Sequence, residues 1–488
     1  MRRYCQLFIV GLSLFCIQCT KYINDPYCLA PQTSNSTWTP LKRNTLISSQ
    51  YCQTVVPKNF SSEKLTLAEL IDIGLQNNPE TKQSWFEARA AAANYAQTLS
   101  DYLPEFDITA SYTRVRGNFF DVAAIIPYYL TTVDPLLNVN YTIFDFGKRK
   151  NTSENAKQAL YYADYLHNQE IQNVLQMVIG DYYKYVFQKE ELLAKEADLE
   201  NAQASLDAAR QRFDLGLAAL GDVAQARSKY LQAKINVTNV KRDVETSFTE
   251  LAKNIGIPSN VHFKVEELPS KTDTNICLES VHTLIEKAQN NRQDFLAAKA
   301  DVKAKEAKVR LAKAEGRPTI DGYASVGSTY YSLGGQEDYN FTAQVSLNIP
   351  LFKGFFYKNG ERVAKSNLEK SQASLMEKEL TIIKEVSDSH FNVTTSIDNL
   401  QDAEDYLCSA QEQFNIALSN YKVGTGTILD VLSAQSSLQD ARSRLADAKR
   451  DWYSSLVSLA YATGSLCINE QNLELEEMKE VYQPCSLQ

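Results

Sequence analysis

Two hydrophobic patterns alternate along the chain. Long stretches place apolar residues on a narrow stripe at helical spacing, with Ala, Gln, Asn, Ser and Lys over much of the remaining surface. A stripe of that width suits packing beside other helices around a wet interior better than filling one solid core. Shorter stretches change character residue by residue. Phe106, Ile108, Ala110 and Tyr112 face one way and Asp107, Thr109, Ser111 and Thr113 the other, while Val139, Tyr141 and Ile143 oppose Asn138, Asn140 and Thr142. Ile320 to Val326 and Phe341 to Ile349 alternate in the same manner. A period of two with one apolar and one polar face is the mark of a strand. The pattern predicts strands over 105–116, 136–146, 318–331 and 340–351.

The helical stretches have readable ends. Thr66-Leu67-Ala68-Glu69 is a capping-box sequence, predicting one helix from Thr66 to about Tyr102, where Pro104 stops it. A counterpart runs from Leu278 to Glu315, closed by Gly316 and Pro318. After each strand pair a proline-free helical pattern continues, from Lys148 to about Asp214 and from Glu361 to about Tyr421. At 1.5 Å per residue the first spans roughly 100 Å. A break and a shorter helix, Asp222 to Asn254 in the first instance, bring the chain back.

These parts occur twice. At an offset of 208 residues, Ala156-Lys157 matches Ala364-Lys365, Gly216 matches Gly424, Asp222-Val223 matches Asp430-Val431, and Gly256 matches Gly464. The sequence therefore divides into a leader at 1–19, an extended segment at 20–65, a first repeat at 66–256, a linker at 257–276, a second repeat at 277–464 and a C-terminal segment at 465–488.

The leader has Arg2 and Arg3 followed by the apolar run Leu7 to Phe15, the pattern of an export signal too short to span a bilayer. Cys16-Ile17-Gln18-Cys19 has two readings, a lipid-attachment site with Cys19 as acceptor or ordinary cleavage. Beyond it no run of eighteen apolar residues exists, so a membrane crossing would have to use strands. The 59 acidic against 50 basic residues give a net charge of −9, which offers nucleic acid no basic stripe. Cys28 with Cys52 and Cys467 with Cys485 are candidate disulfides for an oxidising compartment, beside the reading of free thiols. His167, His262, His282 and His390 lack metal-ligand spacing, and no phosphate loop or nucleophile elbow is present, so neither metal, cofactor nor catalytic residue is assigned.

The duplicated order, the Phe144-Asp145-Phe146-Gly147 and Leu351-Phe352-Lys353-Gly354 strand exits, and the paired breaks FDLGLAALGDV and YKVGTGTILDV resemble the TolC-like outer-membrane efflux channels over about residues 65–465. The N-terminal stretch looks like the lipid-anchored branch of that family. The resemblance implies a mainly α fold with a membrane β-barrel. In it a homotrimer contributes four strands per chain to a 12-stranded barrel, continued by a long periplasmic α-helical barrel, with a periplasmic adaptor and an inner-membrane pump as partners. It places a periplasmic gate at Asp222, Tyr421 and Asp430, with a Tyr421 to Asp222 hydrogen bond across the two breaks. It places adaptor contacts at Phe213, Gly216, Leu217, Gly424, Thr425 and Gly426. Gly426 stands where the family pattern has an arginine, and Ser433 where it has a second acid, so an arginine-centred lock at those positions is not expected here. Asp430 also suits local capping from Thr427, a role that Ala219 cannot reproduce in the first copy. A non-conducting exported coiled-coil scaffold or adhesin is the alternative.

Overall fold

The computed structural model describes residues 26–38, 64–121, 124–267, 278–331 and 337–466. The leader with Cys19 lies outside them, as do Cys52, Cys467 and Cys485, so both candidate disulfides and the lipidation site fall outside the described residues.

Two strands are very short, β1 (Lys64–Leu65) and β4 (Lys264–Val265), and they pair in parallel with each other. Between them come α1 (Leu67–Asn77), α2 (Pro79–Ser100), β2 (Glu105–Asp121), β3 (Ala124–Phe144), α3 (Lys148–Asp214) and α4 (Leu220–Asn254). The order then recurs as α5 (Val281–Asn291), α6 (Gln293–Ala314), β5 (Thr319–Tyr331), β6 (Glu337–Asn348), α7 (Phe356–Val423) and α8 (Ile428–Ala462). Helix lengths run 11, 22, 67 and 35 residues in the first series and 11, 22, 68 and 35 in the second.

Each expected helix of about 37 residues is two helices. Pro79 removes a backbone donor and steers Asn78 into an extended conformation (φ −59°, ψ 130°), so the chain breaks and restarts with Asn78 capping α2. The second break has no proline. Arg292 takes φ −67°, ψ 123° and is almost fully buried, paired with Asp294 at 2.8 Å and with Glu385 on α7. Here tertiary ion pairs hold the kink. The capping box at Thr66 forms as expected, with Glu69 N–H donating to Thr66 Oγ1 and Thr66 N–H to Glu69 Oε2.

The long helices pack through heptads. On α7 the buried positions from Ile382 onward are Ile382, Val386, Ser389, Val393, Ser396, Leu400 and Ala403, then Ala410, Phe414 and Tyr421. Steps of three and four sustained this far give a left-handed seam, which α8 fills with Leu438, Ala441, Ala448 and Trp452. The small residues let the axes approach closely. Where the short helices meet the middle of α3, a broader apolar cluster forms around Ile171, Val174, Val178, Tyr182 and Phe248.

The other end of the molecule is one antiparallel sheet in the order β2-β3-β5-β6. Strands β2 and β3 are longer than the 105–116 and 136–146 read from alternation, because their pairing continues to Asp121 opposite Ala124 through Gly117, Asn118, Pro127 and Pro135, which blur the pattern. The fourth strand runs 337–348 rather than 340–351. The apolar face is open: Ile108 is 78% exposed, Phe341 75% and Val345 71%. The polar face is tied together by its own side chains, with Asn138 Nδ2 donating to Asp107 at 2.8 Å, Tyr323 Oη to Asn138 at 3.0 Å and Thr142 to Asp321 at 2.8 Å. No described helix is long and apolar enough to cross a membrane.

Residues 26–38 include one 3-10 turn (Pro26–Leu29) and lie against α2 and α3 rather than being wholly extended. Trp85 Nε1 donates to Pro31 O at 2.7 Å, Arg89 sits 4.2 Å from the Tyr27 ring, and Asn168 exchanges two hydrogen bonds with the Trp38 backbone.

Candidate functional site

At the end farthest from the sheet, two helix pairs turn back on themselves. The α3–α4 turn closes through Gly216 N–H to Phe213 O and Leu217 N–H to Arg212 O, both at 2.8 Å. In the α7–α8 turn, Asn420 O accepts from the amides of Gly424, Thr425 and Gly426 at 3.0, 3.0 and 3.2 Å. Gly216 and Gly424 both have positive φ, +72° and +94°, which glycine adopts without steric penalty. Gly426 answers a different need: a Cβ there would stand 3.2 Å from Asn420 Cβ, so the turn is packed where the family pattern carries an arginine.

Asp430 is engaged locally. Its N–H donates to Thr427 Oγ1 at 3.3 Å, and its carboxylate accepts from Thr427 N–H at 3.0 Å and from the Thr427 hydroxyl at 2.7 Å. Those hydrogen bonds hold the Asp430 carboxyl below its ordinary pKa. The group is nonetheless exposed, in a cleft shared with Glu412, Asn420, Thr425 and Ser433. Asp222 occupies the matching first turn of α4, half-buried, above an Ala219 that provides no side-chain cap.

Tyr421 is 2% exposed and ends the α7 seam among Leu206, Ala209, Phe414, Ile428 and Val431. The expected Tyr421 to Asp222 hydrogen bond is not formed, since Tyr421 Oη is buried without a hydrogen-bond partner. Burial first, and the charge of Asp222 second, raise the phenol's pKa, with Arg212 acting in the opposite sense. Asp222 therefore acts on Tyr421 through its field rather than through a shared proton.

The link between the two turns is Arg212, which sequence reasoning missed. It lies in the last turn of α3, donates from Nη1 to Tyr421 O and from Nη2 to Leu217 O at 3.3 Å, and sets its guanidinium 4.7 Å from the Tyr421 ring centroid. One cation thus ties the carbonyl end of α7 to the α3–α4 turn, and it does so at a helix C-terminus, where the dipole favours positive charge. The only sequence signal was a basic residue in a helix's final turn.

Around this link the turns are apolar at the surface. Leu215, Leu217 and Leu220 are 73, 64 and 66% exposed, Phe213 41%, and on the other turn Val423 is 79% and Leu429 64% exposed. Among the described residues no group of three or more His, Cys, Asp or Glu is arranged to hold a metal ion.

The sequence matches the family described as Outer membrane efflux protein over residues 70–257 and again over 284–465. The chain belongs to the outer membrane efflux protein family. Relatives within it include the outer membrane protein TolC of Salmonella enteritidis, 27% identical over 409 residues that cover 81% of each chain. The toluene efflux pump outer membrane protein TtgC of Pseudomonas putida is 26% identical over 412 residues, 82% of each. Among solved structures, the outer-membrane channel OprN superposes with a TM-score of 0.75 at 19% identity, covering 82% of this chain and 89% of that one. This efflux protein thus has the fold of the outer-membrane channels, mainly helical with a barrel domain, and its place is the outer membrane with a large periplasmic helical part.

Proposed function

We propose that this outer membrane efflux protein is the exit channel of a tripartite efflux or type I secretion system. The carrying observation is the four-stranded sheet: one face is apolar and open, and among the described residues strands β2 and β6 each have an edge without a partner. Lipid cannot satisfy such edges, and barrels that close begin at eight strands. Three copies supply twelve strands and remove every edge, with the two repeats of each chain at 66–256 and 277–464 as pseudo-equivalent units. The long helix pairs then continue the barrel as a periplasmic tunnel. Transport through it is passive, a conduit rather than an enzyme, with an inner-membrane pump and a periplasmic adaptor as partners. The names of TolC and TtgC support that reading.

In this account the helix turns form the gate. Asp222 and Asp430, repeated three times, line it with acid that favours cations, and Tyr421 with Arg212 holds the two turns of each protomer together. Phe213, Gly216, Leu217, Gly424, Thr425 and Gly426 present the surface for the adaptor, supported by the exposed leucines beside them. Cys19 as a lipid anchor belongs to the same proposal.

Light scattering of the full chain in mild detergent tests the assembly. A mass of three chains, in a band that collapses on boiling, is expected. A stable monomer would favour the exported scaffold or adhesin instead, a reading that leaves the lipid-compatible sheet face without a purpose.

A further inference from the structure

Strand β2 leaves the helices at Glu105, so its residue numbers rise away from the periplasm. Its apolar face carries Phe106, Ile108, Ala110 and Tyr112, and then the chemistry changes to Arg114 and Arg116. Arg114 stands opposite Thr131 and Arg116 opposite Tyr129 on β3, while Tyr112 pairs with Val133 and Val133 with Tyr330 on β5. Tyr112, Tyr129, Tyr330 and Tyr339 are 69, 50, 45 and 82% exposed on this face, the aromatic girdle expected at a membrane interface.

The level fits as well. At about 3.4 Å per residue and a tilt of about 40°, Arg116 stands roughly 26 Å above Phe106, the height of the apolar band of such barrels. Both guanidinium groups lie near one ring, 5.7 and 5.8 Å from the Tyr129 centroid. Two exposed cations are therefore held about 7 Å apart along the strand, and among the described residues neither has an ion-pair partner. Like charges held together at a headgroup surface call for an anion between them, and guanidinium matches phosphate with two parallel hydrogen bonds.

We propose that Arg114 and Arg116 are a docking site for a phosphate-bearing glycolipid headgroup in the outer leaflet, three such sites per trimer. The proposal rests on reading the sheet as part of an outer-membrane barrel. Glu337, at the start of β6 opposite Tyr330 and so on the same face, is an acid on the outer strand that the test includes as a rival partner for the arginines.

The test titrates the purified full-length trimer in mild detergent with diphosphorylated lipid A. Arg114→Gln with Arg116→Gln should weaken binding roughly 30-fold, about tenfold or less for each charge. Dephosphorylated lipid should show no difference between wild type and variant. Equal affinity of wild type and double variant for the diphosphorylated lipid overturns the proposal. So does a result in which Glu337→Gln and the double variant lower trimer melting alike while lipid affinity stays put, because the arginines would then serve a protein contact. Bilayer conductance of the same preparations separates the two readings: a failed channel gives no steps from wild type, whereas failure of this proposal leaves the steps intact.

Discussion

The guanidinium of Arg212 lies 4.7 Å from the ring centroid of Tyr421, and the same side chain donates a hydrogen bond to the Tyr421 carbonyl oxygen. One residue on the first helix pair thus holds the final turn of the second. The position expected to do this from the family pattern, 426, is a tightly packed glycine.

Arg212→Ala should loosen the two turns by about 1–2 kcal/mol, the sum of a cation–π contact and a charged hydrogen bond at a half-exposed site. The open fraction seen in single-channel records should rise, and Arg212→Lys should recover part of the closed state. Tyr421→Phe should change little by comparison, because its hydroxyl has no hydrogen bond to lose. An open fraction that responds to Tyr421→Phe and ignores Arg212→Ala would reverse these roles.

Thr427→Ala should cost about 1 kcal/mol at the start of α8, since it removes the acceptor for the Asp430 amide. Amide exchange in the first turn of α8 should quicken while the middle of the helix stays protected. The carboxylate half of the box depends on pH. Its pKa is depressed in the folded protein, so its contribution is present above the ordinary aspartate range and lost as pH falls through the lowered value. Protection from exchange at the α7–α8 turn, taken relative to the intrinsic rate at each pH, should therefore fall in acid before protection at the α3–α4 turn, which lacks a side-chain cap.

Beneath residues 26–38, Asp164 and His167 are fully buried on α3. Burial raises Asp164 to about 9, and burial lowers His167 to about 4 against a smaller opposing contribution from the Ser36 backbone. The signs follow directly. Asp164 favours folding most below about pH 4 and progressively less as pH climbs toward 9, because the unfolded chain ionises first. His167 favours folding above about pH 6.5 and loses that as pH falls toward 4. Asp164→Asn should stabilise the protein at pH 8 by on the order of 1–3 kcal/mol, and by less at pH 5. Thermal melts at the two pH values check this, and an equal gain at both would contradict it.

Arg292 should be among the least replaceable residues outside the turns. Arg292→Ala leaves Glu385 without its cation and Asp294 with Lys378 alone, at 3.4 Å, and should cost about 2–3 kcal/mol. Arg292→Met combined with Asp294→Asn should recover part of that loss, as read from denaturant midpoints.

These cases show which features a sequence exposes. The first long helix spans Lys148–Asp214, the range its proline-free helical pattern indicated, because a helix of that length is determined by local spacing and by the glycines, Gly147 and Gly216, that flank it. The four strands were visible through their alternation of apolar and polar residues, which sets one face of the sheet against the other. Their far ends were not, since Pro127 and Pro135 interrupt the pattern while cross-strand pairing carries the hairpin on. The break at Arg292 was hidden for a related reason: it depends on Glu385, 93 residues away. At the turns, Asp222, Tyr421 and Asp430 stood out through duplication. Arg212 did not, because the second copy has Asn420 at the matching position and the arginine acts across copies rather than within one.

Planar-bilayer recording of the reconstituted trimer decides whether this chain assembles into a gated conduit. Discrete conductance steps are predicted, with a reversal potential shifted toward cations and a cation preference that falls in Asp222→Asn with Asp430→Asn. A correctly assembled trimer that inserts into the bilayer and produces no steps would contradict the account.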